Sequence, residues 1–387
     1  MKNNRSSESF NFINEPLEFN KFTEIGLLRY CLGATMYTPG TKDVYQKIKE
    51  KKWENLAVIV MCLEDSIAEE ELLSAEKNVS DLLSKLALDI KDKVLSFDDI
   101  PLISIRVRNL EQFIRFSGNL SNEQLNMITA FNFPKFNSQN AEEYLSHLKN
   151  ISQEHRINIY GMPILESKEL AYIETRQIEL ERLKVVIDRY KDTILNIRVG
   201  GTDFSSYFGV RRNVSKTIYD LGTVKNILLD VLNFFSREND YVVSAPVWEY
   251  FSVNREMKFN EKLLTKVTSS FKTNTTIIDA EVDGLIREVM LDIVNGFVGK
   301  TVIHPSHIKY VNSLHAVTKE EFDDANQIVS HFGGVIKSTK GNKMNEINPH
   351  MSWASKILMR SKAYGVIREE KDYQRLLFTR FEGKLRL

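Results

Sequence analysis

Cysteine is nearly missing from this 387-residue chain. Cys31 and Cys62, each inside an apolar segment, are too few for a disulfide scaffold or a Cys-rich zinc site and read as buried thiols. Long apolar runs are missing too. The longest, Leu56 to Leu63, is eight residues, against the ~18 needed to cross a bilayer, and the polar start MKNNRSSESFNF has no signal-peptide core. Nor is there an excess of one charge: 52 Lys and Arg balance 52 Asp and Glu, which leaves no global field for nucleic acid or an anionic membrane. The expectation is a cytoplasmic protein with neither nucleic acid nor membrane as a partner. What the chain does have is 42% apolar and 27% charged residues, a globular balance that can bury a sizeable core.

Short apolar, β-branched segments alternate with longer amphipathic ones, the pattern of βα units around a parallel sheet. Eight strand candidates occur: 30–37, 57–63, 102–107, 127–133, 157–165, 194–199, 241–245 and 297–303. Between them, stretches such as 67–91, 167–190 and 217–233 carry apolar residues at three- and four-residue spacing. Eight such units predict an α/β fold of the TIM (β/α)8 barrel type, with a doubly wound sheet as the alternative. The expected organisation is a polar N-terminal extension (1–22), read as a mobile tail or edge cover, the barrel (23–312), and a C-terminal helical arm or lid (313–387). The arm starts with a helical run over 318–332 ended by Gly333-Gly334, and continues through a Gly-, Asn- and Lys-rich loop (339–349) to a helix over 351–364.

In a TIM barrel the chemistry sits where the strands end, and those ends are polar here. Glu166 and Asp203 end neighbouring strands, an arrangement in which one magnesium ion takes an oxygen from each. The alternative is that Asp203 caps the following helix and Glu166 pairs with an arginine. Gly200 and Gly201 would let the backbone approach a ligand. Arg106 and Arg108, two residues apart, would face an anionic substrate or form ion pairs with Glu64 or Asp65. Lys135, after the fourth strand, would be a Schiff-base lysine in a metal-free mechanism, or simply solvated. His304 and His307 are three residues apart, but the proline between them implies a turn and no third zinc ligand presents itself.

Eight stretches in order along the chain carry a family resemblance: MYTPGT (36–41), VIVMCLEDSI (58–67), ISIRVRN (103–109), FNFPKF (131–136), GMPILES (161–167), IRVGGTDFS (197–205), GFVGKTVIHPSHI (296–308) and GGVIKSTKGNKMNEINPHMSWASKIL (333–358). The sequence resembles the HpcH/HpaI aldolase and citrate lyase superfamily, which includes the citrate lyase beta subunit. Within it the chain is most similar to the branch of TIM-barrel carbon-carbon bond lyases encoded near tellurium-resistance and stress-response genes. The resemblance implies Glu166 and Asp203 as magnesium ligands, with manganese as a substitute. It implies Arg106 on the substrate's carboxylate or carbonyl oxygens, and Glu64 and Asp65 on metal waters. Arg108, Lys135, Gly200 and Gly201 complete the expected substrate-binding surface. Three departures stand out. Gly33 replaces an arginine, Arg108 stands where asparagine is frequent, and Glu346 is the stand-in for a lid aspartate with an acid-base role.

The implied reaction is retro-aldol or Claisen-type cleavage or condensation of a small anionic oxo- or hydroxy-acid, with a coenzyme A thioester as one form of substrate. A magnesium-dependent thioester hydrolase and a non-catalytic barrel subunit are the alternatives. The resemblance also implies a homo-oligomer, a trimer or its multiple, whose arm closes its own or a neighbour's barrel mouth.

Overall fold

The computed structural model describes residues 1–6, 10–252 and 279–378; the last part of the expected arm, 379–387, lies outside them. All eight expected strands form, as β1 (Ala34–Pro39), β2 (Val58–Cys62), β3 (Leu102–Arg106), β4 (Ile128–Phe133), β5 (Tyr160–Leu165), β6 (Ile197–Val199), β7 (Val243–Ser244) and β8 (Lys300–Val302). They lie in one parallel sheet in the order β7-β6-β5-β4-β3-β2-β1-β8. A parallel bridge between Ala245 and Lys300 joins the last pair and closes the ring. Closure excludes the doubly wound alternative, whose sheet has two free edges.

Alternation along each strand sorts side chains between the barrel interior and the helices outside. In β2, Val58 and Val60 face inward with Leu102, Ala130 and Met162, while Ile59 and Met61 pack outward against helices such as Leu72–Lys91. The first strand begins four residues later than the sequence suggests. A helical turn at Ile25–Leu28 carries the chain to Gly33, whose φ of +49° turns it into β1. A Cβ there would lie 2.5 Å from Asn312 Oδ1 and 2.7 Å from Asn3 Oδ1. Gly33 thus stands at the foot of β1, at the opposite end of the strand from the mouth.

The N-terminal extension is no tail but the floor of the barrel. Phe19 is buried with Cys31, Leu32 and Tyr364 beneath the interior. Asn3 donates to the carbonyls of Cys31 (3.0 Å) and Ala363 (3.2 Å), and Asn4 to those of Asn312 (3.0 Å) and Tyr364 (2.9 Å). Asparagine reads as solvated in a sequence. Here the buried amides satisfy carbonyls that no strand reaches.

The arm also seats at this end. Its helix Ile347–Tyr364 packs on the helix Lys319–Ser330 through Ile357, Ala354 and Ile328. Lys356 donates to the carbonyl of Gly296, just before β8 (3.1 Å). Of the expected apolar docking face, Ile357 is buried and Leu358 partly buried in that contact, while Trp353 stays exposed. After the short β9 (Val317–Thr318), the expected loop 339–349 instead contains β11 (Met344–Glu346), which pairs antiparallel with β10 (Val335–Lys337). Three-residue strands with charged positions give no alternation to read. Among the described residues no helix is long and apolar enough to cross a membrane.

If the extension is a floor, Phe19→Ala opens a cavity and lowers stability in urea by about 3–5 kcal/mol, while exposed Phe22→Ala changes it by less than about 1. Equal small effects would return the segment to the status of a tail.

Candidate active site at the barrel mouth

Four strand ends bring their charged residues together. One guanidinium nitrogen of Arg106, Nη2, lies 2.6 Å from Glu64 Oε2, 3.2 Å from Asp65 Oδ2 and 3.2 Å from Glu166 Oε1. The Lys135 ammonium is 2.6 Å from Glu64 Oε1 and 3.5 Å from Asp65 Oδ1, and its backbone N–H donates to Glu166 Oε1 at 3.0 Å. That amide reaches Glu166 because Lys135 adopts a left-handed φ of +48°. A side chain with a Cβ in that region costs on the order of 1–3 kcal/mol.

Glu64 and Glu166 are buried, Asp65 is exposed, and Asp203 is intermediate. Burial pushes the Glu166 carboxyl up to about 8 against the pull of Arg106, and the Asp203 charge adds to the rise. Burial also raises Glu64, opposed by Arg106. Glu64 and Asp65 hold the Lys135 ammonium well above its usual range despite burial. A Schiff-base lysine needs the opposite shift, so the electrostatics disfavour that alternative.

Gly200 is explained by Glu166. A Cβ at Gly200 would sit 2.4 Å from Glu166 Oε2, so that oxygen is turned toward β6, the strand that leads to Asp203. Asp203 lies in the first turn of the helix Gly201–Tyr207. Gly201 has a different reason from the one expected: a Cβ there would meet the Pro246 ring at 2.9 Å, a packing constraint and no ligand approach.

Two expected residues are not brought to this cluster. Arg108 spends its guanidinium on the loop that carries the acidic pair, donating to the carbonyls of Leu63 (3.2 Å) and Ile67 (2.6 Å) and pairing with Glu69 (2.7 Å). It clamps the loop and does not face the mouth. Glu346 ends β11 in the arm, exposed, with its backbone N–H donating to His350 Nδ1 at 3.1 Å. The arm sits at the barrel floor, so Glu346 is not placed to serve its own mouth.

Sequence reasoning missed the polar layer just below. Tyr37, Ser104, Asn132 and Arg198 point inward, with Asn132 donating to the Tyr37 hydroxyl at 3.0 Å and Ser104 bonded to Asn132. The signal was available. Polar residues at alternate positions of strands buried on both faces must lie in the interior.

The mouth's donor set fits a divalent cation. Among the described residues no three acidic or His side chains form a ready metal cage, but magnesium is commonly held by one or two carboxylates with waters and substrate oxygens. Glu166 turns an oxygen toward the strand of Asp203 and gains from any nearby positive charge.

Residues 26–366 match the family described as C-C bond lyase of the TIM-barrel fold. The chain belongs to it and is a lyase. Comparison with curated proteins finds no match. Among solved structures, the CitE protein of Mycobacterium tuberculosis in complex with magnesium, acetoacetate and coenzyme A is 14% identical, with a TM-score of 0.51 over 86% of this chain and 99% of that one. A Haloferax volcanii malate synthase lead(II) complex is 11% identical, with a TM-score of 0.49 over 72% of each chain. RipC of Yersinia pestis is 15% identical, with a TM-score of 0.46 over 74% of this chain and 95% of that one. Identities this low speak to fold alone.

The Glu166 shift has a measurable consequence. Folded, the carboxyl keeps its proton up to about pH 8; unfolded, only to about 4.5. The stability this group contributes is therefore present below about 4.5 and is lost as pH rises through about 8. Without divalent ions, Glu166→Gln should become more stable relative to wild type from about pH 5 to 8 and level off above. A pH-independent difference in denaturation midpoint would show that Glu166 titrates normally.

Proposed function

We propose that this lyase uses magnesium, with manganese as a substitute, to cleave or form a carbon-carbon bond in a small anionic oxo- or hydroxy-acid, free or as a coenzyme A thioester. The observation that carries the reading is Glu166: buried, with one oxygen held by Arg106 and the Lys135 amide and the other turned toward the strand of Asp203. Glu166 and Asp203 would hold the ion, which when bound supplies a Lewis acid for the substrate's oxo or hydroxy oxygen.

The chain's own groups divide the remaining work. Arg106 already faces three carboxylates, and its Nε has no partner. It neutralises charge that develops on the substrate's oxygens. In this reading Asp65, the exposed carboxylate of the cluster, takes the hydroxyl proton. As that proton leaves, the carbonyl forms, the carbon-carbon bond breaks, and its electron pair passes to the enolate of the departing fragment. Glu64, held between Arg106 and Lys135, fixes both cations.

An enolate must be kept from bulk water. In this reading a neighbouring subunit supplies the cover in a homo-oligomer, a trimer or its multiple. The outer face of the β10–β11 hairpin exposes Val335 and Met344 beside Glu346, and Phe332 is fully exposed just before it. Deleting the arm would be a poor test, because Ala363 and Tyr364 belong to the floor of the barrel.

Turnover of a panel of 2-oxo and 2-hydroxy acids and their coenzyme A thioesters, followed by mass spectrometry, should require magnesium and yield two carbon fragments. Asp203→Ala should lower turnover at least ~100-fold, and borohydride should trap nothing on Lys135. Thioester hydrolysis without carbon-carbon cleavage, or an adduct on Lys135, would overturn the assignment.

A further inference from the structure

The helix Gly201–Tyr207, which carries Asp203, starts on two supports. A Cβ on Gly201 would lie 2.9 Å from Pro246 Cβ and 3.5 Å from Ile218 Cδ1. Pro246 follows β7, and Ile218 opens the short helix Ile218–Asp220 in the connection after β6. Both supports are tied to one carboxylate, Glu288, on the helix Ala280–Asn295. Its Oε2 accepts the backbone N–H of Ile218 at 2.7 Å. Its Oε1 lies 3.4 Å from Arg212 Nη2, and the same nitrogen donates at 2.5 Å to the carbonyl of Val247, the residue after Pro246. The Lys300 ammonium donates to Glu288 Oε1 at 2.9 Å and to Asp292 Oδ2 at 2.8 Å, while the Tyr219 hydroxyl, next to Ile218, donates to Asp292 Oδ1 at 2.7 Å. Glu288, Asp292 and Lys300 are fully buried, and Arg212 is nearly so.

Burial makes this network stiff. Two acids and two cations withdrawn from water hold one another only in the geometry that satisfies all of them, and a shift of any member leaves a desolvated charge short of a partner. Lys300 anchors the network to the barrel itself, because it lies in β8 and bridges to Ala245 where the ring closes. Asp203 follows Gly201 by two residues in the first turn of its helix, so a displacement of either support is passed on to its carboxylate. Glu166 is fixed separately, by Arg106 and the Lys135 amide. The separation of the two acids therefore depends on Glu288. That separation matters unequally to different ions: magnesium demands a near-octahedral shell at roughly 2.0–2.1 Å, whereas calcium accepts an irregular one at roughly 2.3–2.6 Å.

We propose that Glu288 is a positioning residue for the metal site: through Ile218 and Pro246 it fixes the start of the Asp203 helix, and so makes the site select magnesium over calcium. The inference rests on the reading of Glu166 and Asp203 as the ligands of the ion. Displacement of bound manganese, followed by its EPR signal, gives the affinities of magnesium and calcium without any substrate. Wild type should bind magnesium more tightly. Ile218→Val, which removes only the methyl that touches Gly201, should lower the ratio of magnesium to calcium affinity at least about threefold, and Glu288→Gln should lower it further. The double variant should lose less than the product of the single losses, because Ile218 is one route by which Glu288 acts. Ile187→Val, the same truncation at a fully buried position of the helix Ile173–Arg189, should leave the ratio unchanged, since a general loss of stability does not move it. Ile218→Val with this control carries the test should Glu288→Gln fail to fold. If wild type binds manganese but does not favour magnesium over calcium, if the ratio survives in either variant, or if it falls equally in Ile187→Val, the positioning role is wrong and the magnesium reading stands. If wild type binds no manganese, or binding survives Asp203→Ala, the magnesium reading falls and the positioning role with it.

Discussion

Arg106 places one nitrogen within 3.2 Å of three carboxylates at the rim of the barrel. Two of these, Glu64 and Glu166, are buried, and buried like charges tolerate each other only with compensation between them. Removing the guanidinium would leave them uncompensated, a loss of about 3–5 kcal/mol in comparable buried pairs. Much local structure serves this arrangement. Arg108 clamps the loop that presents Glu64 and Asp65. Lys135 adopts a left-handed backbone to aim both its amide and its ammonium at the cluster. Gly200 gives up a side chain so that Glu166 can lie where it does.

Such a site is held for what it lacks. Burial and the Asp203 charge push the Glu166 carboxyl up against the pull of Arg106, and a cation placed between the two acids would relieve that cost. A rim made of strand ends, each fixed by ladder hydrogen bonds on both sides, holds its carboxylates apart without letting them relax into solvent. The fold thereby supplies an electrostatic demand in advance of the ligand that meets it.

The barrel was legible because strands buried on both faces must be apolar throughout, and runs such as LAVIVMCL suit that environment and few others. The strand-end charges were legible for the same reason: they are where the apolar runs stop. What escaped was whatever depends on partners distant in sequence. Asn3 and Asn4 look solvated until their amides meet carbonyls near residues 31, 312 and 364. Arg106 and Arg108 look equivalent on one strand, yet only the first lies within β3; the second, past its end, turns to the loop of residues 63–69. The place of Glu346 in a motif does not reveal that its hairpin packs with the arm's own helices, away from its own barrel mouth.

The central claim is that the mouth is built around a divalent cation shared by Glu166 and Asp203. Anomalous diffraction from crystals grown with manganese tests it without reference to any substrate. The account predicts one strong peak within bonding distance of a carboxylate oxygen of each residue. A peak elsewhere, or none at saturating manganese with both side chains ordered, would contradict it.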